Sequence, residues 1–274
     1  MNDPATPIRL VVSDVDGTLV RKDKSLSPQV IAAVHRLRAA GIPFTLISAR
    51  PVSGVLPLIV PLGIDIPVAA INGGIIFRPD GSVIAEHRVD PHVVHGMFEL
   101  AADSTVGRWV FADNQWYASN LDGLHVEHER VASNQEPVLR DDFTDLYHRT
   151  EKLTFVSDDA PLLKDFADRA AARFGGRATI GQSQTYYLDV TDTRANKGDG
   201  VTTLAAMLGV DLAEVAVFGD MDNDLAMFAR AGVSVAMGQA PEAVRAAANF
   251  VSSSNEQDGV AHAIDTFVLN RAAA

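Results

Sequence analysis

The sequence predicts an α/β protein, with a doubly wound parallel sheet and a smaller α+β unit inserted into it. Apolar, strand-like segments alternate with amphipathic helical segments near both ends of the chain. This alternation is typical of a parallel sheet covered by helices. The middle of the chain carries alternating, aromatic-containing strand candidates instead. The length of 274 residues suits two domains or one large α/β unit.

The first β-α-β unit is predicted near the N-terminus. Residues 8–14 (IRLVVSD) and 42–49 (IPFTLISA) are typical of buried strands. The segment between them predicts an amphipathic helix. Ser27 suits its N-cap, Pro28 its first position, and Gly41 its end.

Residues 55–77 form a long apolar stretch with Asp65 as its only charged residue. The stretch is long enough to span a membrane, but Pro57, Pro61 and Pro67 would break a helix in lipid. We therefore expect a short helix, a loop and a buried parallel strand. Such strands are apolar throughout because both of their faces are covered.

The strand and helix alternation returns in the C-terminal part of the chain. Strands are predicted at residues 214–220 (EVAVFGD) and 233–237 (VSVAM). Helices are predicted from about Gly198 to Leu208, from Asp222 to Ala231, from Pro241 and from about Gly259.

A separate α+β domain is predicted between these two parts. Its strand candidates are residues 82–90, 107–119, 151–159 and 185–192, and its helices are residues 91–103 and 160–174. We assign residues 1–80 and 190–274 to the core and residues 81–189 to the inserted domain. Trp109 and Trp116 lie in the insert, where they either pack within strands or contact a sugar.

Composition excludes several classes of function. The net charge of −12 opposes binding to nucleic acid or to an anionic membrane. The absence of cysteine excludes disulfides, cysteine-based zinc sites and thiol nucleophiles. The polar segment Met1–Pro7 and the interrupted apolar run behind it do not resemble a secretion signal, so a cytoplasmic location is expected.

Two acidic clusters follow predicted strands. Asp14 and Asp16 are two residues apart after the first strand, so an extended backbone directs both to one side. Such a pair is also common in turns and helix caps. Asp220 and Asp224 lie in the second cluster, GDMDND, after a later strand. The carboxyl ends of parallel strands share one edge, where ligands bind.

Carboxylates that converge at this edge would repel one another unless a cation lies between them. A hard divalent ion, with Mg²⁺ suited to oxygen ligands, explains the clusters. Asp222 additionally suits the N-cap of the following helix. Ser48, Arg50 and Lys197 are candidates for holding an anion beside the cation, although a lysine is usually a surface residue.

Taken together, four motifs resemble those of the haloacid dehalogenase superfamily, specifically the Cof-like phosphatases with a type IIB α/β cap. Residues 14–18 (DVDGT) resemble the first motif, Ser48 the second, Lys197 the third and residues 219–224 the fourth. Ala49 departs from the family pattern, which usually has glycine there. The inserted domain, residues 81–189, is the segment that resembles the cap.

The resemblance implies a Rossmann-like core and a Mg²⁺-dependent hydrolase of small phosphorylated metabolites, such as sugar phosphates. It implies that Asp14 attacks phosphorus to form an aspartyl-phosphate and that Asp16 serves as general acid and base. The implied metal site consists of Asp14, the backbone carbonyl of Asp16, Asp220 and Asp224. The implied phosphate site consists of Ser48, Ala49, Arg50, Lys197 and Asn223.

Some alternatives remain open at this point. A phosphomutase of the same superfamily would return the phosphoryl group to a sugar, and a signalling module would only store it. His125, Glu127 and His128 form either a second metal site or a polar surface turn, and we favour the turn. A small phosphorylated substrate is expected, with no nucleic acid or membrane partner, and with a monomer or a homodimer as the assembly.

Overall fold

The structure, a computed structural model, describes residues 6–123 and 125–270. The expectation about location drawn from Met1–Pro7 rests mostly on residues outside this description. The ends of the two core segments and Leu124 of the LHVEHER motif also lie outside it.

The strands of the described residues follow one another along the whole chain. In order they are β1 (Leu10–Ser13), β2 (Phe44–Leu46), β3 (Val68–Ala70), β4 (Ile75–Phe77), β5 (Val83–Glu86), β6 (Gly107–Ala112), β7 (Gln115–Ala118), β8 (Val138–Leu139), β9 (Thr150–Val156), β10 (Thr179–Gln184), β11 (Tyr187–Thr191), β12 (Val215–Gly219), β13 (Val233–Ala236) and β14 (Phe250–Val251).

The α-helices lie between these strands, except for the last one, which follows β14. In order they are α1 (Pro28–Ala39), α2 (Val52–Leu62), α3 (Pro91–Ala101), α4 (Val126–Ser133), α5 (Ala160–Phe174), α6 (Lys197–Leu208), α7 (Leu225–Phe228), α8 (Glu242–Ala247) and α9 (Gly259–Ala263), which continues as a π-helix over Ile264–Leu269.

The central sheet is parallel, in the strand order β14-β13-β12-β1-β2. Alternate residues of β1 enter two different hydrophobic clusters, Val11 on one face and Val12 on the other. Helices α1, α2 and α9 cover the first face, and α6, α7 and α8 cover the second. The α/β class with a doubly wound parallel sheet is therefore confirmed.

Local signals explain where α1 begins and ends. The Ser27 hydroxyl accepts the backbone N–H of Val30, and Pro28 occupies the first helical position. Gly41 follows the helix with φ +78°, a backbone conformation that glycine adopts without strain. All three positions agree with the sequence prediction.

The apolar segment 55–77 folds as α2, β3 and β4. Ala69 of β3 forms a parallel bridge with Ile47 beside the central sheet, and β3 also pairs with β4 in an antiparallel manner. In the part of the chain that the structure describes, no helix combines the length and the apolar character that a membrane span requires.

A second sheet lies in the middle of the chain, in the order β10-β11-β9-β6-β7-β8. One face packs against α3 and α5, with Val110 of β6 in that cluster. The opposite face carries Trp109, Trp116 and Tyr187, which pack with Val126 of α4. Strand packing is thus the role that the structure shows for both tryptophans.

The strand predicted over residues 82–90 covers only Val83–Glu86, and it pairs with a strand of the core instead of one in the insert. It is β5, which pairs with β4 and packs Ile84 and Ala85 against the core. A tight turn returns the chain, since Arg78 N–H donates to the Ser82 carbonyl. The division into residues 1–80 with 190–274 and residues 81–189 remains our proposal. The separate hydrophobic clusters support it except at β5, which packs with the core.

Most of the LHVEHER motif lies in a helix. The polar surface turn favoured above is wrong, because residues 126–133 form α4. Val126 and Ala132 are buried on one side of this helix, and Glu129 is buried as well. The apolar positions are too few for the helical pattern to be recognised among the charged residues.

Candidate active site

The register of the central sheet brings the two acidic clusters together. Ser13 at the end of β1 lies opposite Phe218 of β12, and the Asp14 N–H donates to the Phe218 carbonyl. Asp14 and Asp220 therefore leave neighbouring strands at the same edge. Carboxylate oxygens of Asp14, Asp220 and Asp224 lie within 4.8 Å of one another, and all three residues are buried.

Gly17 allows the loop after β1 to pass close to Asp220. Its φ is +77°, and a Cβ atom there would lie 2.2 Å from Oδ2 of Asp220. Any other residue would be strained and would displace this carboxylate. The next residue, Thr18, donates its hydroxyl hydrogen to Oδ1 of Asp220 at 3.0 Å. Glycine and threonine of the DVDGT motif thus position an acid more than 200 residues away.

Asp224 caps the turn of its own cluster. Its Oδ2 accepts the backbone N–H groups of Asp220 at 2.8 Å and Met221 at 2.9 Å. The expectation that Asp222 is the N-cap is wrong, because Met221 stands at that position and the predicted helix is split into a 3₁₀ turn and α7. Since Asp224 also contacts a lysine, its oxygens are largely engaged with protein donors.

That lysine is Lys197, the first residue of α6. Its Nζ donates to Oδ1 of Asp14 and to Oδ1 of Asp224, each at 2.6 Å. Burial alone would lower the pKa of Lys197, but the two carboxylates raise it above its usual value. The side chain is 1% exposed, so the alternative of an ordinary surface lysine is excluded. Lys197 is a fixed positive charge at the centre of the cluster.

One ammonium does not balance the acids of this cluster. Burial raises the pKa of Asp14 to about 8, with further increases from Asp224 and Asp220 and an opposing effect of Lys197. Burial and the charge of Asp224 also raise the pKa of Asp220, to about 7. Such shifts indicate excess negative charge at a dry site. Asp14 and Asp220 therefore fit a divalent cation, which favours oxygen ligands and would offset this charge, whereas both oxygens of Asp224 already accept hydrogen bonds from the protein.

Asp16 lies beside this cluster in a different electrostatic environment. Arg50 donates two hydrogen bonds to Asp16, from Nε to Oδ2 at 2.6 Å and from Nη2 to Oδ1 at 2.8 Å. Lys24 adds a third at 2.7 Å. Burial would raise the pKa of Asp16, but these hydrogen bonds and charges outweigh it and hold the pKa well below its usual range. Asp16 is therefore ionised at neutral pH.

The residues after β2 and the fourth motif complete the arrangement. Ser48 is buried, and its Oγ accepts the backbone N–H of Arg50 at 3.1 Å. The carbonyl of Ala49 accepts a hydrogen bond from Lys152 at 3.3 Å. Asn223 donates to Oδ1 of Asn72 at 3.2 Å. All but Asn72 belong to the lining of the same cavity.

This cavity has a volume of about 70 Å³ and is bounded by both parts of the chain. Asp14, Asp16 and Lys197 line it from the core, whereas Glu129 and Lys152 line it from the 81–189 segment. Neither Glu129 nor Lys152 was expected at the site from the sequence. Each lies in an element whose approach to the core depends on tertiary packing.

Other contributors were also missed. Lys24 and Asn72 both have positive φ, and each contacts a predicted site residue. The Asn-Gly step after β3 was an available signal for a special backbone conformation at Asn72. Nothing local distinguishes Lys24 from its charged neighbours. The structure does not support a second metal site at the LHVEHER motif. The His125 ring forms a hydrogen bond with Asp158 and stacks on the Tyr186 ring.

Replacing Arg50 with Met is expected to destabilise the protein by about 2 kcal/mol at pH 7, because Asp16 loses its bidentate partner. A carboxyl with a lowered folded-state pKa stabilises the fold above its unfolded pKa, and this contribution disappears as the pH falls through the folded pKa. The difference in the free energy of unfolding between wild type and Arg50→Met should thus reach its maximum above about pH 5 and decrease below about pH 4. Urea unfolding across this range measures it. An equal difference at pH 7 and pH 3.5 would contradict this assignment of the effect to Asp16.

Known proteins match both the sequence and the fold. Residues 11–264 match the family described as haloacid dehalogenase-like hydrolase. The pyridoxal phosphate phosphatase YbhA of Escherichia coli K12 is 27% identical over 273 residues, which covers 95% of this chain and 99% of that protein. A haloacid dehalogenase-like hydrolase from Bacteroides thetaiotaomicron has a TM-score of 0.85 and 28% identity, covering 94% of this chain and 98% of that one.

A sugar phosphatase of haloacid dehalogenase subclass IIB has the same fold. Its TM-score is 0.83 at 22% identity, with coverage of 94% of this chain and 98% of that chain. The matched residues include all four sequence motifs and the whole insert. The chain belongs to the haloacid dehalogenase-like hydrolase family and is a phosphatase of that family.

Proposed function

We propose that the protein is a Mg²⁺-dependent phosphatase of small phosphorylated metabolites that works through an aspartyl-phosphate on Asp14. One observation carries the proposal: Lys197 bridges Asp14 and Asp224 in a buried site where Asp220 lies within reach of the same ion. The substrate class is supported by the YbhA and sugar phosphatase relatives, whose names refer to small phosphate esters.

In this proposal Asp14 is the nucleophile. Lys197 occupies Oδ1 of Asp14, whereas Oδ2 makes no hydrogen bond with the described residues. An oxygen of Asp14 attacks phosphorus as the ester P–O bond breaks. Water then attacks the phosphoryl group, the P–O bond to Asp14 breaks, and inorganic phosphate leaves. Lys197 stabilises negative charge on the group in transfer throughout.

Asp16 acts as the proton carrier. It protonates the leaving oxygen in the first step and takes a proton from water in the second. Arg50 and Lys24 keep it ionised in the structure, which suits the second step. A phosphate dianion beside Asp16 would raise its pKa, because like charges favour the neutral form. The substrate itself therefore prepares Asp16 for the first step.

Mg²⁺ would be held by the free oxygen of Asp14, the Asp16 backbone carbonyl and Asp220. When bound, the ion neutralises charge on the phosphoryl oxygens. Thr18 orients Asp220 for this purpose, and Asp224 orients Lys197 and the backbone around it. Ser48, the Ala49 backbone, Asn223 and Arg50 line the remaining space around the phosphoryl group.

Phosphate release from a panel of esters tests this function. We expect inorganic phosphate to be released over many turnovers in Mg²⁺ and activity to disappear in excess chelator and return with added Mg²⁺. Full turnover in chelator would remove the metal from the proposal. A need for a bisphosphorylated activator, with little net phosphate, would indicate a mutase, and a single stoichiometric phosphorylation would indicate a signalling module.

The cap, residues 81–189, would close over the site by docking α4 on α2. Ser53 donates to the Ser133 carbonyl at 2.6 Å and accepts from Gln135 at 2.6 Å. Gly54 permits this approach, because a Cβ atom there would lie 2.3 Å from the Ala132 carbonyl oxygen. The same docking brings Lys152 onto the Ala49 carbonyl. Closure would therefore exclude water and complete the cavity.

Replacing Gly54 with Ala is expected to lower kcat/KM about 10-fold or more, because α4 cannot reach its docked position. The loss of the two Ser53 hydrogen bonds should lower the melting temperature only modestly, since the core and the cap keep their separate hydrophobic clusters. Steady-state kinetics and thermal unfolding measure the two effects. Gly176→Ala serves as the control, because a Cβ atom there meets nothing within 4 Å. Wild-type kinetics in Gly54→Ala would contradict the role of docking.

A further inference from the structure

Glu129 is a buried acid that the proposed reaction does not use. It lies on α4, is 7% exposed and lines the cavity that holds Asp14 and Asp16. Its carboxyl group makes no hydrogen bond or ion pair with the residues described by the structure, 6–123 and 125–270. Burial raises its pKa to about 7. A buried carboxyl without a partner is costly, so its presence calls for an explanation.

The cations near Glu129 are engaged by other acids. Arg50 and Lys24 are held by Asp16. Lys152 donates to the Ala49 carbonyl, lies 4.0 Å from Asp189 and stands over the Phe111 ring. Each of these positive charges thus has its own fixed contacts. Glu129 is left as an acceptor that faces the cavity without an internal donor.

Its neighbour on the same helix behaves in the usual way. The Glu127 side chain is 77% exposed and pairs with Arg130 at the surface. The two glutamates differ in environment because residues two apart on a helix lie on different faces. Glu127 faces solvent, and Glu129 faces the cavity. The cavity-facing position could be filled by an apolar side chain if only packing mattered.

We propose that Glu129 recognises the leaving group of the phosphate ester by accepting a hydrogen bond from a hydroxyl or an ammonium group on it. This inference rests on the proposed function, since it concerns the same cavity. The core would bind the phosphoryl group, and Glu129 would select a small leaving group that carries a donor. Binding would supply the partner that the free enzyme lacks and would retain α4 in its docked position.

The test compares kcat/KM for three esters in full-length wild type, Glu129→Ala and Glu129→Gln. p-Nitrophenyl phosphate has no donor on its leaving group, glucose 6-phosphate has hydroxyls, and glucosamine 6-phosphate adds an ammonium. We expect Glu129→Ala to reduce kcat/KM for the sugar esters about 10-fold more than for p-nitrophenyl phosphate, because a charge-assisted hydrogen bond is lost. Glu127→Gln should leave all three values unchanged.

Glu129→Gln distinguishes the two donors and preserves the shape of the side chain. Recognition of a hydroxyl predicts near-wild-type kcat/KM for glucose 6-phosphate, since the amide oxygen still accepts. Recognition of an ammonium predicts a selective loss for glucosamine 6-phosphate. Equal losses for all three esters, or a wild type that hydrolyses only p-nitrophenyl phosphate, would overturn the role of Glu129. A wild type that hydrolyses none of them would instead refute the proposed function.

Discussion

Replacing Asp14 with Asn is expected to reduce kcat by roughly 10⁴-fold or more, because the amide cannot form the acyl-phosphate bond. The fold should persist. Asn has nearly the same shape, and Lys197 retains its hydrogen bond to Asp224. Removing one carboxylate from a crowded, buried group also relieves repulsion, so the melting temperature should stay level or rise. Phosphate release and thermal unfolding measure these two effects.

The matched control is Asp222→Asn, in the neighbouring acidic motif. Asp222 is exposed and is not among the carboxylates that converge on the cluster. Its replacement should leave kcat within about twofold of wild type, as expected for a surface substitution. Retention of substantial activity in Asp14→Asn, with a normal melting temperature, would remove Asp14 as the nucleophile.

Of the substitutions considered, Lys197→Met should cause the largest decrease in the free energy of unfolding. In the absence of Mg²⁺, Asp14 and Asp224 would remain buried without their shared counter-charge. Breaking a buried ion pair in this way lowers the free energy of unfolding by about 3–5 kcal/mol. We also expect kcat to fall at least about 100-fold, since a fixed charge on the phosphoryl group is lost. Urea unfolding without metal, followed by kinetics with Mg²⁺, tests both effects.

Lys164→Met is the corresponding surface control. Lys164 pairs with Asp168 one helical turn away, and its side chain is 73% exposed. Such pairs contribute about 0.5 kcal/mol or less, so unfolding should hardly change. A loss below about 1 kcal/mol in Lys197→Met would mean that the two carboxylates are neutral without the lysine and that the proposed charge balance is wrong.

The sequence predicted the core of the fold well because its signals are local. Buried parallel strands are continuous apolar runs, and α1 is marked by Ser27, Pro28 and Gly41 at its ends. The acids after β1 and β12 could be placed at one edge because parallel strands share direction. The positions of Asp14 and Asp220 therefore followed from the same argument as the sheet itself.

The remaining site residues depend on packing that the sequence does not display. Glu129 and Lys152 reach the cavity only because α4 and β9 approach the core, and the closest contact depends on Gly54. Arg50 was expected near phosphate, and the structure pairs it with Asp16. A sequence motif shows which side chains are present. The acid with which a long, flexible arginine pairs depends on the charges that several loops bring near it.

Acid quenching during turnover, followed by mass spectrometry of the peptide that contains Asp14, determines whether this side chain carries the phosphoryl group. We expect one phosphoryl group on Asp14 in the presence of Mg²⁺ and none in Asp14→Asn. Phosphate release without any modification of Asp14, or with the phosphoryl group on a different side chain, would contradict it.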